Sequence, residues 1–354
     1  MTFHPATLAL HVSSILIAFM VLYSARYGIR ILRKWDIGSG SELQLTLERR
    51  TYLISTLLAY TFGFQLLSLF LFIFTADHLH TLFVGAMCAA GSLYVNGYGY
   101  PALILKIITF FLAGLWLVLN YADNRGYDYP LIRKKYLFLL FITPFILAEM
   151  VLQWNYFLRL SPDVITSCCG SLFSTGTGTM TSEIVSLPTI PMKVTFYSTF
   201  ALTIASGVYF YLKNRRRRPE PYYSPQAKHW DSGAGRGGYL FASLSAFAFL
   251  VSVLSILSFI SLYYYELPTH HCPFCILQKE YGYIGYPLYL SLLAGTISGM
   301  GVGVLMPFRK VESLSEGIPS LQKRLALASS ILFALFAVMV TLRMVFSDFI
   351  LEGY

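Results

Sequence analysis

Charged residues are scarce in this chain. Only 12% of its 354 residues are Asp, Glu, Lys or Arg, whereas 56% are hydrophobic. A soluble domain carries about 25% charged residues, so a soluble globular protein is excluded. Apolar runs of about 20 residues, the length that crosses a bilayer, recur along the chain, and the alternating pattern of a β-barrel is missing. The sequence therefore predicts an all-α, polytopic membrane helix bundle.

Several motifs that carry chemistry are also missing. There is no Walker or Gly-x-Gly-x-x-Gly pattern, which argues against a nucleotide site. The Cys272–Cys275 pair is followed by Ile276 rather than by His, so the haem attachment motif is absent. The net charge of +9 is explained by orientation in a membrane. We therefore expect lipid, and no nucleic acid, among the partners.

Charge alternates along the chain in a way that predicts the topology. We predict about eight spans at 7–25, 52–75, 101–121, 136–157, 192–212, 239–264, 282–306 and 325–346. The connections after the first, third, fifth and seventh spans hold 21 of the 26 Lys and Arg residues. By the positive-inside rule these connections are cytoplasmic and both termini lie outside. The first run lacks leading basic residues and a cleavage site, so we expect it to be a retained helix.

The charge pattern also predicts the domain organisation. We expect a five-helix membrane region over 1–213, a basic cytoplasmic linker over 214–238, and a three-helix membrane region over 239–354. The expected location is the inner membrane of a bacterium, as a multi-pass protein. Its cysteine-bearing loops would then face the periplasm.

All five cysteines are predicted to lie on the outer side. Thiols in an oxidising compartment usually form disulfides or serve redox or metal chemistry, and an odd count leaves one outside any internal pairing. The adjacent Cys168 and Cys169 could form a strained, easily reduced disulfide, pair elsewhere, or bind a soft metal. Cys88 is either a third reactive thiol, a metal ligand or a small buried residue.

The densest cluster runs from His270 to Cys275, as His-His-Cys-Pro-Phe-Cys. Pro273 suits the first position of a helix, which would place the pair Cys272 and Cys275 in a helix N-terminal turn. The helix dipole there would lower a thiol pKa below its usual value of about 8.5. Lys279 would lie one turn further on the same side. A static disulfide or a structural zinc site remains an alternative.

The run Cys272-Pro-Phe-Cys275-Ile-Leu-Gln278-Lys279 resembles the DsbB family of membrane disulfide-forming proteins, and residues 239–306 as a whole share this likeness. More distantly it is similar to vitamin K epoxide reductases. The resemblance implies that Cys272 and Cys275 exchange electrons with a membrane quinone, ubiquinone or menaquinone. It implies that Lys279 helps to hold the quinone, and His271 and Gln278 are further candidates for that contact.

The leading hypothesis is a membrane thiol–disulfide oxidoreductase with Cys272, Cys275, Cys168 and Cys169 as its reactive thiols. Electrons would pass between these outer cysteines and a quinone, to or from a periplasmic thiol protein or other electron-transfer subunits. One alternative is a metal-binding or metal-transport protein, because thiolates and imidazoles bind soft and borderline metals. Its candidate ligands are His78, His80, Cys88, His270, His271, Cys272 and Cys275. Another alternative is the anchor subunit of an electron-transfer complex.

Two further patterns lie inside the predicted spans. Lys106 and Glu149 are charges within the membrane, where they are costly, and they predict either a proton relay or an internal ion pair. Small residues at four-residue spacing, Gly295, Gly299 and Gly303, predict close packing against the serine-rich sixth span. A faint repeat, Gly-Tyr-Pro ending at Pro101 and again at Pro287, indicates either a repeated cysteine-bearing entry to a span or a chance match in a chain rich in Tyr and Gly.

Overall fold

The computed structural model describes residues 4–161, 164–166, 188–215 and 227–351, except for the side chains of 215 and 227–235. Every element in these ranges is helical. The longer helices are α1 (Pro5–Lys34), α2 (Glu42–His78), α4 (Gly99–Asp123), α5 (Ile132–Leu158), α6 (Thr189–Arg215), α7 (Ala227–Ser255), α9 (Gly285–Val304) and α10 (Gly317–Phe346). The shorter ones are α3 (Ala89–Tyr94) and α8 (Ser261–Tyr265). The predicted all-α class is confirmed for the described residues.

Seven segments within the described ranges are long and apolar enough to cross a membrane. They are Pro5–Lys34, Glu42–Leu82, Gly99–Asp123, Ile132–Leu158, Arg236–Tyr265, Gly285–Lys310 and Gly317–Phe346. The remaining predicted span, 192–212, lies within α6. That helix has 27 residues but is less apolar than the other seven. The chain is a multi-pass membrane protein, and the count of eight spans with both termini outside stays a prediction that depends on α6.

The described residues divide into two compact units. The first contains α1 to α5 with Val311–Gly317, and the second contains α6 to α9 with α10 from Ile318. The charge pattern predicted three parts instead, 1–213, 214–238 and 239–354. That division stays a prediction. Residues 216–226 of the predicted linker lie outside the described ranges.

The first unit is a ring of four long helices. Helix α1 packs on α2, α2 on α4, α4 on α5, and α5 on α1. Its apolar centre includes an edge-to-face pair, with the rings of Phe62 and Trp116 4.9 Å apart. Leu58, Leu139 and Ile142 are buried in the same cluster. Burying this apolar surface inside the bundle leaves the outward faces of the helices for lipid.

The second unit has the same cyclic order. Helix α6 packs on α7, and α7 on α9. The hydroxyl of Ser329 in α10 donates to the carbonyl of Gly295 in α9 at 2.8 Å. Phe336 of α10 stacks on Phe200 of α6, with ring centroids 5.4 Å apart. The fourth helix therefore closes the ring on the first, as in the other unit.

Corresponding helices of the two units begin at a nearly constant separation in the chain. Pro5 and Thr189 are 184 positions apart, and Glu42 and Ala227 are 185 apart. Gly99 and Gly285 are 186 apart, and Ile132 and Gly317 are 185 apart. The Gly-Tyr-Pro repeat noted in the sequence therefore marks the start of the third long helix in each unit. The two units are built on one plan, repeated along the chain.

Close packing by glycine in the second unit agrees with the sequence prediction. A Cβ atom on Gly299 would lie 2.1 Å from the Ser245 hydroxyl oxygen, and one on Gly303 would lie 2.5 Å from the Ala242 Cβ. Both neighbours are on α7. The predicted contact of the glycine face with the serine-rich sixth span is confirmed at these two positions.

Candidate thiol site

The segment that carries the cysteine pair follows α8 and precedes α9. Helix α7 continues through a π-helical turn, Ile256–Ile260, into α8. At its end Glu266 adopts a left-handed conformation with φ of 54°. Arg343 of α10 donates to the carbonyls of Tyr263 and Tyr264 at 3.1 and 3.2 Å and pairs with Glu266 at 2.8 Å. These bonds satisfy the carbonyls that a helix end leaves without partners.

The cysteine pair does not begin a long helix, which corrects the sequence prediction. Cys275 starts a single 3₁₀ turn, Cys275–Leu277, and a second turn, Lys279–Tyr281, follows it. Helix α9 begins only at Gly285. The chain turns at Gly282 and Tyr283, with φ of 63° and 57°, so a continuous helix from Cys272 is impossible. The helix-dipole argument for a low thiol pKa therefore does not apply here.

The two sulfurs are nevertheless buried together. Cys272 is fully buried and Cys275 is 4% exposed. Their Sγ atoms lie within 4.8 Å of each other. Side-chain rotation that closes this distance to the roughly 2.0 Å of an S–S bond would make a disulfide. The pair is therefore placed for reversible oxidation or for shared binding of a soft ion.

Two tyrosines hold the main chain around the pair. The Tyr265 hydroxyl donates to the carbonyl of Cys272 at 2.5 Å and accepts from the amide of Ile276 at 2.9 Å. The Tyr289 hydroxyl, on α9, donates to the carbonyl of Pro273. Both ends of the Cys-Pro-Phe-Cys run are thus tied to the helices on either side. Neither tyrosine was predicted from the sequence, since no local pattern connects them to the cysteines.

His270 faces the second sulfur. Its Nε2 atom lies 3.3 Å from the Sγ of Cys275, and its ring packs edge-on against Tyr265, with centroids 4.4 Å apart. Burial lowers the pKa of His270 below its ordinary value of 6.5. A neutral imidazole at neutral pH can accept the thiol proton, so His270 is placed as a base for Cys275.

His271 points the other way, towards α7. Its Nδ1 atom lies 2.8 Å from the carbonyl oxygen of Leu257, in the π-helical turn. A carbonyl only accepts, so Nδ1 carries the proton and Nε2 keeps its lone pair. Burial is the main cause that lowers the pKa of His271. A neutral imidazole with a defined tautomer is the form in which histidine binds metals or accepts a proton.

The predicted quinone contacts lie beside the pair but not on a shared helix face. The main-chain N–H of Gln278 donates to the carbonyl of Cys275 at 3.0 Å, which closes the 3₁₀ turn. Lys279 opens the next turn and is exposed. The predicted position of Lys279, one helical turn beyond Cys275, is wrong because no continuous helix passes through both residues. The roles of Lys279, Gln278 and His271 towards a quinone stay predictions.

The other predicted residues belong to other segments of the chain. Cys168 and Cys169 lie outside the described residues. Cys88 is fully buried in the first unit, at the residue before α3. His78 ends α2, and the Nδ1 atom of His80, in the following 3₁₀ turn, contacts the carbonyl of Asp77. Their proposed metal role stays a prediction.

No protein family model, no curated protein and no solved structure matches this chain. The geometry of the thiol segment and the chemistry of its side chains therefore carry the functional argument.

Proposed function

We propose that this protein is a membrane thiol–disulfide oxidoreductase whose working pair is Cys272 and Cys275. The observation that supports this most is the burial of two sulfurs within 4.8 Å of each other with the imidazole of His270 at 3.3 Å from one of them. Thiol–disulfide exchange needs a thiolate, and a neutral base beside a thiol supplies one on demand.

In the proposed reaction Cys275 acts first. His270 takes its proton, and the thiolate attacks a disulfide sulfur of the partner, which releases one partner thiolate. The mixed disulfide is then attacked by Cys272, which leaves the internal disulfide Cys272–Cys275 and a fully reduced partner. Two electrons pass from a quinol to reopen the internal disulfide, with its two protons going to the sulfurs. The reverse direction oxidises the partner and reduces a quinone.

The quinone, ubiquinone or menaquinone, would approach the thiol segment from the lipid. Lys279 carries the positive charge that would face its ring oxygens, and Gln278 and His271 are nearby hydrogen-bonding groups. Cys168 and Cys169 would carry electrons onward to a periplasmic thiol protein or to subunits of an electron-transfer complex. The proposed location is a bacterial inner membrane with the cysteine-bearing segments in the periplasm, as the distribution of Lys and Arg favours.

Trapping the mixed disulfide tests this proposal. Cys272→Ser removes the resolving thiol, so the reduced protein should form a stable adduct with a small aromatic disulfide through Cys275. Cys275→Ser is the matched control, since it keeps Cys272 and removes the thiol that lies 3.3 Å from His270. The proposal expects adduct formation to be faster in Cys272→Ser, and to slow when His270→Gln is added. Equal rates in both single variants, unchanged by loss of the imidazole, would contradict it.

A metal site is a second candidate, favoured by one specific observation. The hydrogen bond from Nδ1 of His271 leaves its Nε2 lone pair available, a short distance along the chain from two thiols. Two thiolates with an imidazole suit zinc or copper(I). Elemental analysis of protein purified without chelators would show about one metal ion per chain, lost in Cys272→Ser. If the purified protein holds no metal and still exchanges disulfides, the metal site is refuted and the redox proposal stands.

A further inference from the structure

The first unit contains a buried ionic network in its apolar interior. Glu149 of α5 pairs with Lys106 of α4 at 2.7 Å, and both are at least 95% buried. The Gln65 amide donates to the second carboxylate oxygen at 2.5 Å, and the Thr109 hydroxyl donates to the same oxygen. The Lys106 ammonium also donates to the Ser68 hydroxyl at 2.7 Å. The ion pair anticipated from the sequence is confirmed, and three of the four long helices contribute to the network.

The second unit shows that this architecture does not need the network. Lys106 is the seventh residue after Gly99, and the seventh after Gly285 is Leu292. Glu149 is the seventeenth residue after Ile132, and the seventeenth after the start of α10 is Ala334. The same ring of four helices is thus built with apolar side chains at both positions. Charges buried in a membrane are costly and give little net stability, so a role beyond packing is expected.

Buried polar atoms without protein partners lie between the Glu149 network and the end of the unit where α1 begins. Among the described residues, neither ring nitrogen of His11 has a hydrogen-bond partner, and the same holds for the Thr7 hydroxyl and the Gln153 carbonyl oxygen. His11 is only 7% exposed, Thr7 1%, and Gln153 is fully buried. A buried polar group without a partner costs about 1–3 kcal/mol, so such groups cluster where water or a ligand enters.

These groups form one polar seam between α1 and α5. Thr7 and His11 lie one turn apart on α1, and Gln153 lies one turn beyond Glu149 on α5. The Gln153 amide donates to the carbonyl of Leu10 at 3.0 Å, which joins the two helices at this level. The ring of His11 packs edge-on against Trp154 of α5, with centroids 4.6 Å apart. The seam leads from the end of the bundle where α1 begins towards the buried carboxylate.

We propose that the first unit is a proton-uptake site in which Glu149 is the acceptor and the Thr7–His11–Gln153 seam admits water and protons. A proton would leave bulk water, pass by way of the imidazole of His11, and end on a carboxylate oxygen of Glu149. The positive charge of Lys106 would remain on its ammonium group and lose its counter-ion. This proposal does not depend on the chemistry of the thiol site.

A proton fits this site better than a metal cation. The carboxylate oxygens already accept from an ammonium, an amide and a hydroxyl, and the ammonium of Lys106 would repel a metal ion. The titratable group in contact with Glu149 is Lys106 of α4, and its neutral partners are Gln65 of α2 and Thr109 of α4. His11 of α1 lies further along the seam, against Trp154. The other buried pair of this unit, Lys135 with Asp123 at 2.7 Å, is satisfied separately.

Infrared difference spectroscopy of the full-length protein in lipid vesicles tests the proposal. Acidification of the vesicles should produce the infrared band of a buried protonated carboxyl group, and Glu149→Gln should remove that band. Asp123→Asn is the matched control, since it removes the other buried carboxyl group of the unit and should leave this band. A band that survives Glu149→Gln, or that never appears, overturns the proposal.

Two seam variants keep the ion pair and so test proton access independently of folding. His11→Phe and Gln153→Leu should retain the carboxyl band but slow its hydrogen–deuterium exchange by about tenfold, equivalent to about 1.4 kcal/mol in barrier height. Trp154→Phe, which alters the neighbour of the seam without removing a buried unpartnered atom, should exchange at the rate of the parent protein. Equal exchange rates in the parent protein and both seam variants would overturn the seam as the route.

Discussion

Replacing the buried ion pair by the residues of the second unit is a direct test of the repeated plan. The changes are Lys106→Leu and Glu149→Ala, singly and together, because Leu292 and Ala334 occupy the corresponding positions. Each single change leaves an isolated charge among buried side chains. Removing one partner of a buried pair typically costs about 3–5 kcal/mol of stability. The double variant removes both charges and should cost clearly less than the two single changes summed.

The remaining cost of the double variant comes from the neutral members of the network. Gln65, Thr109 and Ser68 each lose a hydrogen-bond partner, and the shorter alanine leaves space between α5 and its neighbours. We therefore expect the double variant to be less stable than the parent protein, with a coupling free energy of about 3 kcal/mol between the two sites.

Reversible unfolding in mixed micelles, followed by tryptophan fluorescence, measures these free energies. Trp116 reports on the first unit, because it is buried in the same apolar cluster as Phe62. Lys106→Gln with Glu149→Gln is a useful control, since it keeps side-chain size and hydrogen bonding. Strictly additive losses, with no coupling between the sites, would refute the view that the two side chains form one charge-balanced unit.

Three further predictions concern the second unit. Tyr265→Phe should lower the free energy of unfolding by about 1–3 kcal/mol, because two buried main-chain groups of the thiol segment lose their partner; an unchanged value would mean that the tyrosine does not organise the segment. Burial lowers the pKa of both His270 and His271, so stability should be full above about pH 6.5 and fall as the pH drops from there towards the folded-state pKa. In unfolding curves measured at decreasing pH, the His270→Gln variant should lose less stability than the parent protein. Gly299→Ala should cost about 1–3 kcal/mol, since its Cβ would lie 2.1 Å from the Ser245 hydroxyl oxygen, and Ser245→Gly in the same chain should restore most of it.

The long helices could be predicted from the sequence because each one is a long apolar run. Their starts and ends are marked by charges, by Pro and by Gly, which are local signals. The ion pair between Lys106 and Glu149 was among the predicted outcomes, because an isolated charge inside a span requires a partner. The common plan of the two units was visible only as a short Gly-Tyr-Pro match, since the corresponding side chains differ.

The shape of the thiol segment could not be predicted, because tertiary contacts decide it. Pro273 suggested a helix start, but a Cβ atom on Gly285 would lie 2.9 Å from the carbonyl oxygen of Ile276. The chain thus folds back closely onto Ile276 where α9 begins, after the left-handed turn at Gly282. The π-helical turn that presents the Leu257 carbonyl to His271 has no sequence signature either. The sequence supplied the candidate residues, and packing determined their geometry.

The most direct test of the proposed function is the stoichiometry of quinone reduction by the cysteine pair. Reduced protein in lipid vesicles would receive a short-chain ubiquinone or menaquinone without oxygen, and quinol and remaining thiols would be measured together. The account predicts that one quinol forms for each two thiols lost, that the new disulfide joins Cys272 to Cys275 in peptide maps, and that Cys275→Ser abolishes both changes. Quinol formation that persists in Cys275→Ser, or thiols that remain reduced with every quinone tested, would contradict it.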